Sequence, residues 1–339
     1  MHMHTDEAAL MNVKILSTGR FLPARQINNG ELEEQLGLQA GTIVKRNGVK
    51  FRYKADPLAG ETTSQMAAWA AEDALRNAGL DKNQLDLIIF ASAAAEQAVP
   101  DTAPLIQEKL GLGSSGIACF SVHSTCLSFL TALDIASSFI AAERYQTILI
   151  VCCERSFTSI NEADPSTYTL FGDAAAAAIL GPTPQEESSQ FLQAHFSTFG
   201  EAANLTELKG CGTRQHPNDA STRFEDNTFQ MKGRELLRYT LKNAPPVLDK
   251  IWPNFIQNLS DFALIIPHQP SQVGMVAMSR YLPPEKTIQT LAKYGNCVSV
   301  SLPLSLDEAI RSGQLHRGMQ TLIFGTGAGL TVAGIVLVF

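Results

Sequence analysis

The chain has 339 residues, 45% hydrophobic and 17% charged, with a formal net charge of −7. That length supports two domain-sized units or one large duplicated one, and the composition excludes a disordered chain. The acidic balance and a pI near 5.5 argue against a general nucleic-acid binder.

The chain opens MHMHTDEAALMN, which lacks the basic stretch and apolar run of a signal peptide. His2 and His4 are read there as an unstructured end and not as a metal site. The six cysteines, Cys119, Cys126, Cys152, Cys153, Cys211 and Cys297, form no C-x-x-C pair. That pattern excludes a disulfide framework and a paired-cysteine zinc site, and it suits a reducing cytosol. Apolar runs such as ALIIP and GIVLVF are too short to cross a bilayer. A cytoplasmic protein is expected, with no membrane, nucleic-acid or metal partner.

In chain order, residues 63–77 show helical spacing and residues 87–90, LIIF, read as a strand buried on both faces. A helix is expected over 126–143, with Ser124 and Thr125 supplying its N-cap. Residues 148–151, ILIV, form the next strand, and GPTPQEE at 181–187 reads as a turn-rich acidic linker. A helix over 234–242 and strands at 264–266 and 322–324 follow. Strands alternating with helices imply an α/β layered fold.

The run LDLIIFAS at 85–92 resembles DFALIIPH at 261–268, and RYQTILIVCCE at 144–154 resembles RGMQTLIFGTG at 317–327. Matched strands at matched spacing suggest two similar halves, divided here into 1–182 and 183–339. The competing explanation is chance likeness between apolar strands.

Chemistry-bearing residues fall on separate segments. Cys126 stands at an expected helix N-terminus, where the dipole and free N–H groups depress a thiol pKa. Buried cysteines are more often small hydrophobes, so the position alone is weak. His268 leaves a buried strand at its C-terminal end, where ligand chemistry collects in parallel sheets, and Pro267 and Pro270 fix the backbone around it. Asn296 sits in a Gly-Asn turn, a commonplace setting by itself. His123, three residues before Cys126, has three readings: an alternative base, half of a metal pair, or a side chain that packs near the site and narrows or polarises its pocket. The last is favoured, because His123 precedes the helix and further ligands are lacking.

With Cys126, His268 and Asn296 stand Ile43-Val44-Lys45-Arg46-Asn47-Gly48-Val49, Phe171-Gly172-Asp173-Ala174-Ala175, Ser301-Leu302-Pro303 and the segment Gly325 to Gly329. In that order and spacing the chain resembles, over nearly its whole length, a β-ketoacyl-acyl-carrier-protein synthase III, a condensing enzyme of the thiolase superfamily. The resemblance implies a thiolase-like five-layered αβαβα fold of two similar halves, a homodimer, and a Cys126, His268, Asn296 catalytic centre. It implies acyl transfer to Cys126, followed by decarboxylative condensation with a malonyl-type thioester to give a 3-oxoacyl product. His268 and Asn296 would hold the second thioester carbonyl, and the backbone N–H groups of Cys126 and Ala328 would form the other oxyanion site. No cofactor is implied. The substrates are thioesters of coenzyme A or of an acyl carrier protein.

Departures from the family pattern bear on the substrate. Thr42 stands where a tryptophan commonly stacks on the adenine of coenzyme A, while Arg46 keeps a cation for phosphate. Val273 replaces an arginine that binds the carrier protein. A related branch condenses two acyl thioesters without decarboxylation and carries a glutamate where this chain has Val99. Val99 is therefore read as shaping the acyl pocket, and Glu96 as a loop acid. Other readings are an acyltransferase passing the Cys126-bound group to an alcohol or amine, and a non-catalytic partner subunit. The second of these gives no reason to retain all three site residues.

Overall fold

Apolar runs that are buried on both faces need cover on both faces, and two sheets provide it for each other's inner side. The computed structural model describes residues 10–339; the reading of His2 and His4 falls outside them. The first sheet comprises β1 (Val13–Phe21), β2 (Leu87–Ala91), β3 (Ala118–Val122), β4 (Ile148–Glu154) and β5 (Ala174–Pro182). Its order is β1-β5-β4-β2-β3, with β4, β2 and β3 parallel and β5 antiparallel to both of its neighbours. The second sheet comprises β6 (Gln190–Thr198), β7 (Leu264–Pro267), β8 (Gln320–Gly327) and β9 (Thr331–Val338). Its order is β6-β9-β8-β7, with β8 and β7 parallel and β9 antiparallel to β6 and β8.

The second order repeats the first, strand for strand and in pairing sense, and it places β2 opposite β7 and β4 opposite β8. Those are the two pairs that the sequence repeats. The counterpart of β3 is reduced to one parallel bridge, Ile265 to Thr287.

Helices α1 (Thr63–Ala78) and α2 (Thr102–Lys109) cover the outer face of the first sheet, and α4 (Gly233–Ile251) covers the outer face of the second. Between the sheets lie α3 (Ser128–Ala141) and α6 (Ser301–Arg311), in a core shared with β2, β4, β5, β8 and β9, while the short α5 (Gln272–Met278) packs in a smaller cluster. The result is five layers, αβαβα. Burying side chains such as Phe129 and Leu133 there contributes about 2 kcal/mol each.

Close approach depends on small residues. β5 begins with five alanines, all at 0% exposure, so helices pack tightly on both of its sides. On α1, Ala67, Ala68, Ala70, Ala71 and Ala74 are likewise fully buried, and Thr62 caps the helix by accepting the N–H of Gln65. A Cβ on Gly19 of β1 would stand 2.2 Å from the Ala74 nitrogen and 2.4 Å from the Ala70 oxygen.

Two helices differ from expectation. The 126–143 segment begins as a single 3₁₀ turn, Thr125–Leu127, and becomes α-helical only at Ser128. Neither Ser124 nor Thr125 caps it. Thr125 has φ +50°, outside the geometry an N-cap needs, and the Ser128 hydroxyl oxygen accepts the Ser124 N–H instead. The 234–242 helix runs on to Ile251 through Pro245 and Pro246.

Gly19→Ala is expected to cost about 3 kcal/mol of unfolding free energy, because both clashing atoms are helix backbone that cannot step aside. Urea denaturation of the variant measures it, and a loss under about 0.5 kcal/mol would refute the close packing.

Candidate active site

Cys126 lies at the middle of the 3₁₀ turn that leads into α3. The turn is closed by the Leu127 N–H to the Ser124 carbonyl at 3.1 Å and by the Ser128 hydroxyl to the Thr125 carbonyl at 2.7 Å. The second half builds the same turn. Val298 has φ +50°, the Cys297 N–H reaches the Ser301 hydroxyl oxygen at 3.0 Å, and α6 begins at Ser301. In this repeat Ser299 stands where Cys126 stands, and the two turns pack on each other between the sheets.

His268 follows β7 directly and is 3% exposed, its own N–H held by the Phe324 carbonyl at 2.8 Å. Gly325 makes room for it: a Cβ there would lie 2.5 Å from the His268 Cβ and 3.4 Å from Leu127, the neighbour of Cys126. His268 and Leu127 of the cysteine turn therefore lie on either side of one glycine. Burial lowers the His268 pKa to about 4, so the ring is neutral at ordinary pH. Its Nδ1 has no hydrogen-bond partner among the described residues. An orphaned lone pair costs less than an orphaned N–H, which places the proton on Nε2.

Asn296 is 6% exposed and tightly held. Its N–H donates to the Leu170 carbonyl at 2.9 Å, and its carbonyl accepts from Gly172 at 3.1 Å. The side-chain oxygen accepts the Val298 N–H at 2.8 Å, and Nδ2 donates to the Pro270 carbonyl at 3.1 Å. With the oxygen pinned, the amide cannot flip, and one Nδ2 hydrogen is left without a partner in these contacts. Gln269 ties the His268 loop to the same region, accepting from Thr290 and Leu291 and donating to the Ile288 carbonyl.

At the sulfur, the backbone N–H groups of Ala328 and of Cys126 itself both act to lower the thiol pKa. The expectation of a depressed pKa is nonetheless overturned. Burial, with a smaller contribution from the nearby Glu154 carboxyl, pushes the thiol up to about 12. A helix N-terminus and two N–H groups do not offset the loss of water around a thiolate. Cys126 itself retains intermediate exposure, so the sulfur is closely surrounded without being sealed.

The substrate-binding candidates lie further out. Arg46 is exposed on the short helix Thr42–Asn47, and Thr42 is half-exposed at its start. Val99 is 84% exposed. His123 is exposed, with Nε2 at 3.0 Å from the Ala93 carbonyl, and no hydrogen bond joins it to Cys126. Among the described residues no group of three His, Cys, Asp or Glu side chains is placed to hold a metal ion. Among the same residues no helix is long and apolar enough to cross a membrane.

Sequence reasoning gave no role to two buried carboxyls, Asp173 of the 171–175 segment and Glu154. Burial raises Asp173 to about 6, while the N–H groups of Ala55 and Phe157 hold it in place. Glu154, at the end of β4, is raised by burial to about 7. Glu154 ends β4, which pairs with β2 and β5, and nothing local in the sequence marks it.

A family model of 3-oxoacyl-[acyl-carrier-protein (ACP)] synthase III matches residues 120–200, and its C-terminal counterpart matches residues 257–339. The β-ketoacyl-[acyl-carrier-protein] synthase III of Aquifex aeolicus is 32% identical over 329 residues, covering 96% of this chain and 99% of that protein. That of Methylococcus capsulatus is 31% identical over 318 residues, covering 93% and 95%. The crystal structure of the Aquifex aeolicus enzyme superposes with a TM-score of 0.83 over 96% of this chain and 100% of that one. The priming β-ketosynthase of the R1128 polyketide pathway, 26% identical, superposes at 0.84 over 97% and 96%. The chain belongs to the 3-oxoacyl-[acyl-carrier-protein] synthase III family.

Proposed function

We propose that this chain condenses two acyl thioesters into a 3-oxoacyl thioester, with Cys126 as nucleophile and His268 and Asn296 as donors to the second substrate. One observation carries the assignment of roles. Gly325 sits against both His268 and Leu127 of the cysteine turn, and the turn that pins the Asn296 amide packs on that same cysteine turn, so two donors are grouped with a nucleophile already served by two backbone N–H groups.

In the first half-reaction the Cys126 sulfur attacks the acyl thioester carbonyl. The carrier thiolate leaves and the thiol proton passes to it, so no net charge is left in the site. The Cys126 and Ala328 N–H groups receive the oxyanion of the tetrahedral intermediate. A malonyl-type thioester then enters, with its thioester oxygen accepting from Asn296 Nδ2 and His268 Nε2. Its carbon–carboxylate bond breaks, carbon dioxide leaves, and the electron pair is held as an enolate by those two donors. The enolate carbon attacks the acyl group, and the Cys126 thiolate is expelled. No base is required, in keeping with a histidine held neutral.

The thioester carrier is coenzyme A or an acyl carrier protein. Arg46, exposed on its short helix, would offer a cation to a phosphate of either. We also propose a homodimer, with the two halves of each chain divided at 182/183. β3 is an unpaired sheet edge carrying half-buried Cys119, Phe120 and Val122, which a second copy would cover. The acyl-pocket reading of Val99 depends on it, because in a single chain that side chain faces solvent.

Incubation with acyl thioesters, followed by intact-mass measurement, is expected to show one acyl adduct, lost in Cys126→Ser. Adduct formation undiminished in that variant would sink the nucleophile assignment. His268→Ala and Asn296→Ala are expected to acylate within about tenfold of the native rate. Their discharge by malonyl thioester should slow by about 10²–10³. Discharge by an alcohol or amine in place of malonyl thioester would establish acyl transfer instead. Sedimentation should give twice the 36.7 kDa chain mass, and Val99→Trp should then shift acyl preference toward shorter chains; a monomer, or an unchanged preference, counts against the pocket.

His268 also predicts a pH dependence of stability. Its folded value is depressed, so its contribution is complete above the ordinary value of 6.5 and is lost as pH falls toward about 4. Unfolding free energy of the native protein should fall more steeply across that window than that of His268→Gln. Parallel curves would show that the ring is not buried neutral.

A further inference from the structure

Glu154 is 3% exposed and takes no part in the steps above. Its Oε1 accepts the Ala93 N–H at 2.6 Å and also the Ser299 hydroxyl. The Ser299 N–H adds a further favourable interaction with the carboxylate. Ala93 belongs to the loop leaving β2, and its carbonyl lies 3.0 Å from the His123 ring. Ser299 follows Val298, whose N–H is held by the Asn296 side chain. A single carboxyl therefore joins a loop of the first half to the asparagine turn of the second. The Ser299 turn also packs on the cysteine turn.

Other titratable groups face it from each side: Cys126 from the turn before α3, Cys297 from the turn before α6, Asp173 from the start of β5, and Cys152 and Cys153 from its own strand. Arg155, next along, acts on Asp173 and Cys153 and forms no ion pair with Glu154 among the described residues. Burial against those donors leaves the carboxyl titrating at about 7, and its charge opposes ionisation of the Cys126 thiol.

We propose that Glu154 is a positioning residue for the condensation: its carboxyl clamps the Ser299 turn, and through it Asn296, and from that turn, packed on the cysteine turn, its negative charge works against formation of the Cys126 thiolate. This rests on the roles given to Cys126 and Asn296 above. The clamp acts on the second half-reaction, because Asn296 serves the malonyl-type thioester. The charge acts on the first, because it opposes the sulfur.

The two effects separate by variant. Glu154→Gln keeps the size and an accepting oxygen but removes the charge. Its alkylation by iodoacetamide, followed at Cys126 by peptide mass, should shift to lower pH than that of the native protein. Glu154→Ala removes the clamp, and its discharge by malonyl thioester should fall at least tenfold further than its acylation does. An alkylation profile that overlays the native one, or equal slowing of both half-reactions, overturns the proposal. If circular dichroism shows that Glu154→Ala does not fold, Ser299→Ala serves for the same comparison, with the same two outcomes. Alkylation needs no substrate, so its profile stands even if Cys126 proves not to be acylated, which would instead defeat the functional reading.

Discussion

Two helices are buried between two sheets, and each begins on a turn with one residue in left-handed backbone. Thr125 and Val298, at φ +50°, are β-branched residues in a region that costs them of order 1–2 kcal/mol. Serine hydroxyls at the first residue of each helix, Ser128 and Ser301, close both turns. The turn brings the residue after it to the face between the sheets, and that residue is Cys126 in one half and Ser299 in the other. Everything else in the site is arranged around this pair of turns.

The turns keep their mutual position because the halves are tied together elsewhere. Thr18 and Arg20 on β1 reach Asp307 on α6, and Arg20 also bonds Glu308 and the Tyr294 hydroxyl. Arg311 joins Asp307 to Asp73 on α1, and Lys293 pairs with Glu308. Against the cost of burial, the bonds from Lys293, Arg20 and Tyr294 hold Glu308 down to about 2. Its stabilising charge therefore persists to acid pH and is lost only as pH falls from the ordinary 4.5 through that value. Lys293 and Tyr294 lie just before Gly295 and Asn296, so this network sets the approach to the asparagine turn. Gly295, at φ +71° and with room for no Cβ beside the Leu170 oxygen, completes it.

Cys126, His268 and Asn296 were legible because their residue types sat at strand ends and turns in the order of a known family. The strands at 87–90 and 264–266 were legible from apolar content, and the repeat from their likeness. β5 was not, because AAAAAIL has the local preference of a helix and becomes a strand only through burial on both faces. The start of α3 was misplaced because a left-handed Thr125 leaves no mark in the residue type. Glu154 and Ser299 were invisible for another reason. Their meaning lies in a contact across 145 residues of chain, and nothing local distinguishes either from an ordinary polar side chain.

The electrostatics of the site follow from one preference of buried space, which disfavours charge. Burial raises the Cys126 thiol to about 12, raises Glu154 to about 7, and lowers His268 to about 4. The resting site is thus built of oriented N–H groups and not of ions: two at the sulfur, one on Asn296 and one on His268. Such donors gain little until negative charge develops on a substrate oxygen, and then they act without rearrangement in a medium that screens poorly. A family that moves acyl groups between thioesters needs that behaviour, because each half-reaction begins and ends with a neutral thioester carbonyl. The sulfur is the one group that must carry charge on the protein itself, and Glu154 is the carboxyl placed to act on it.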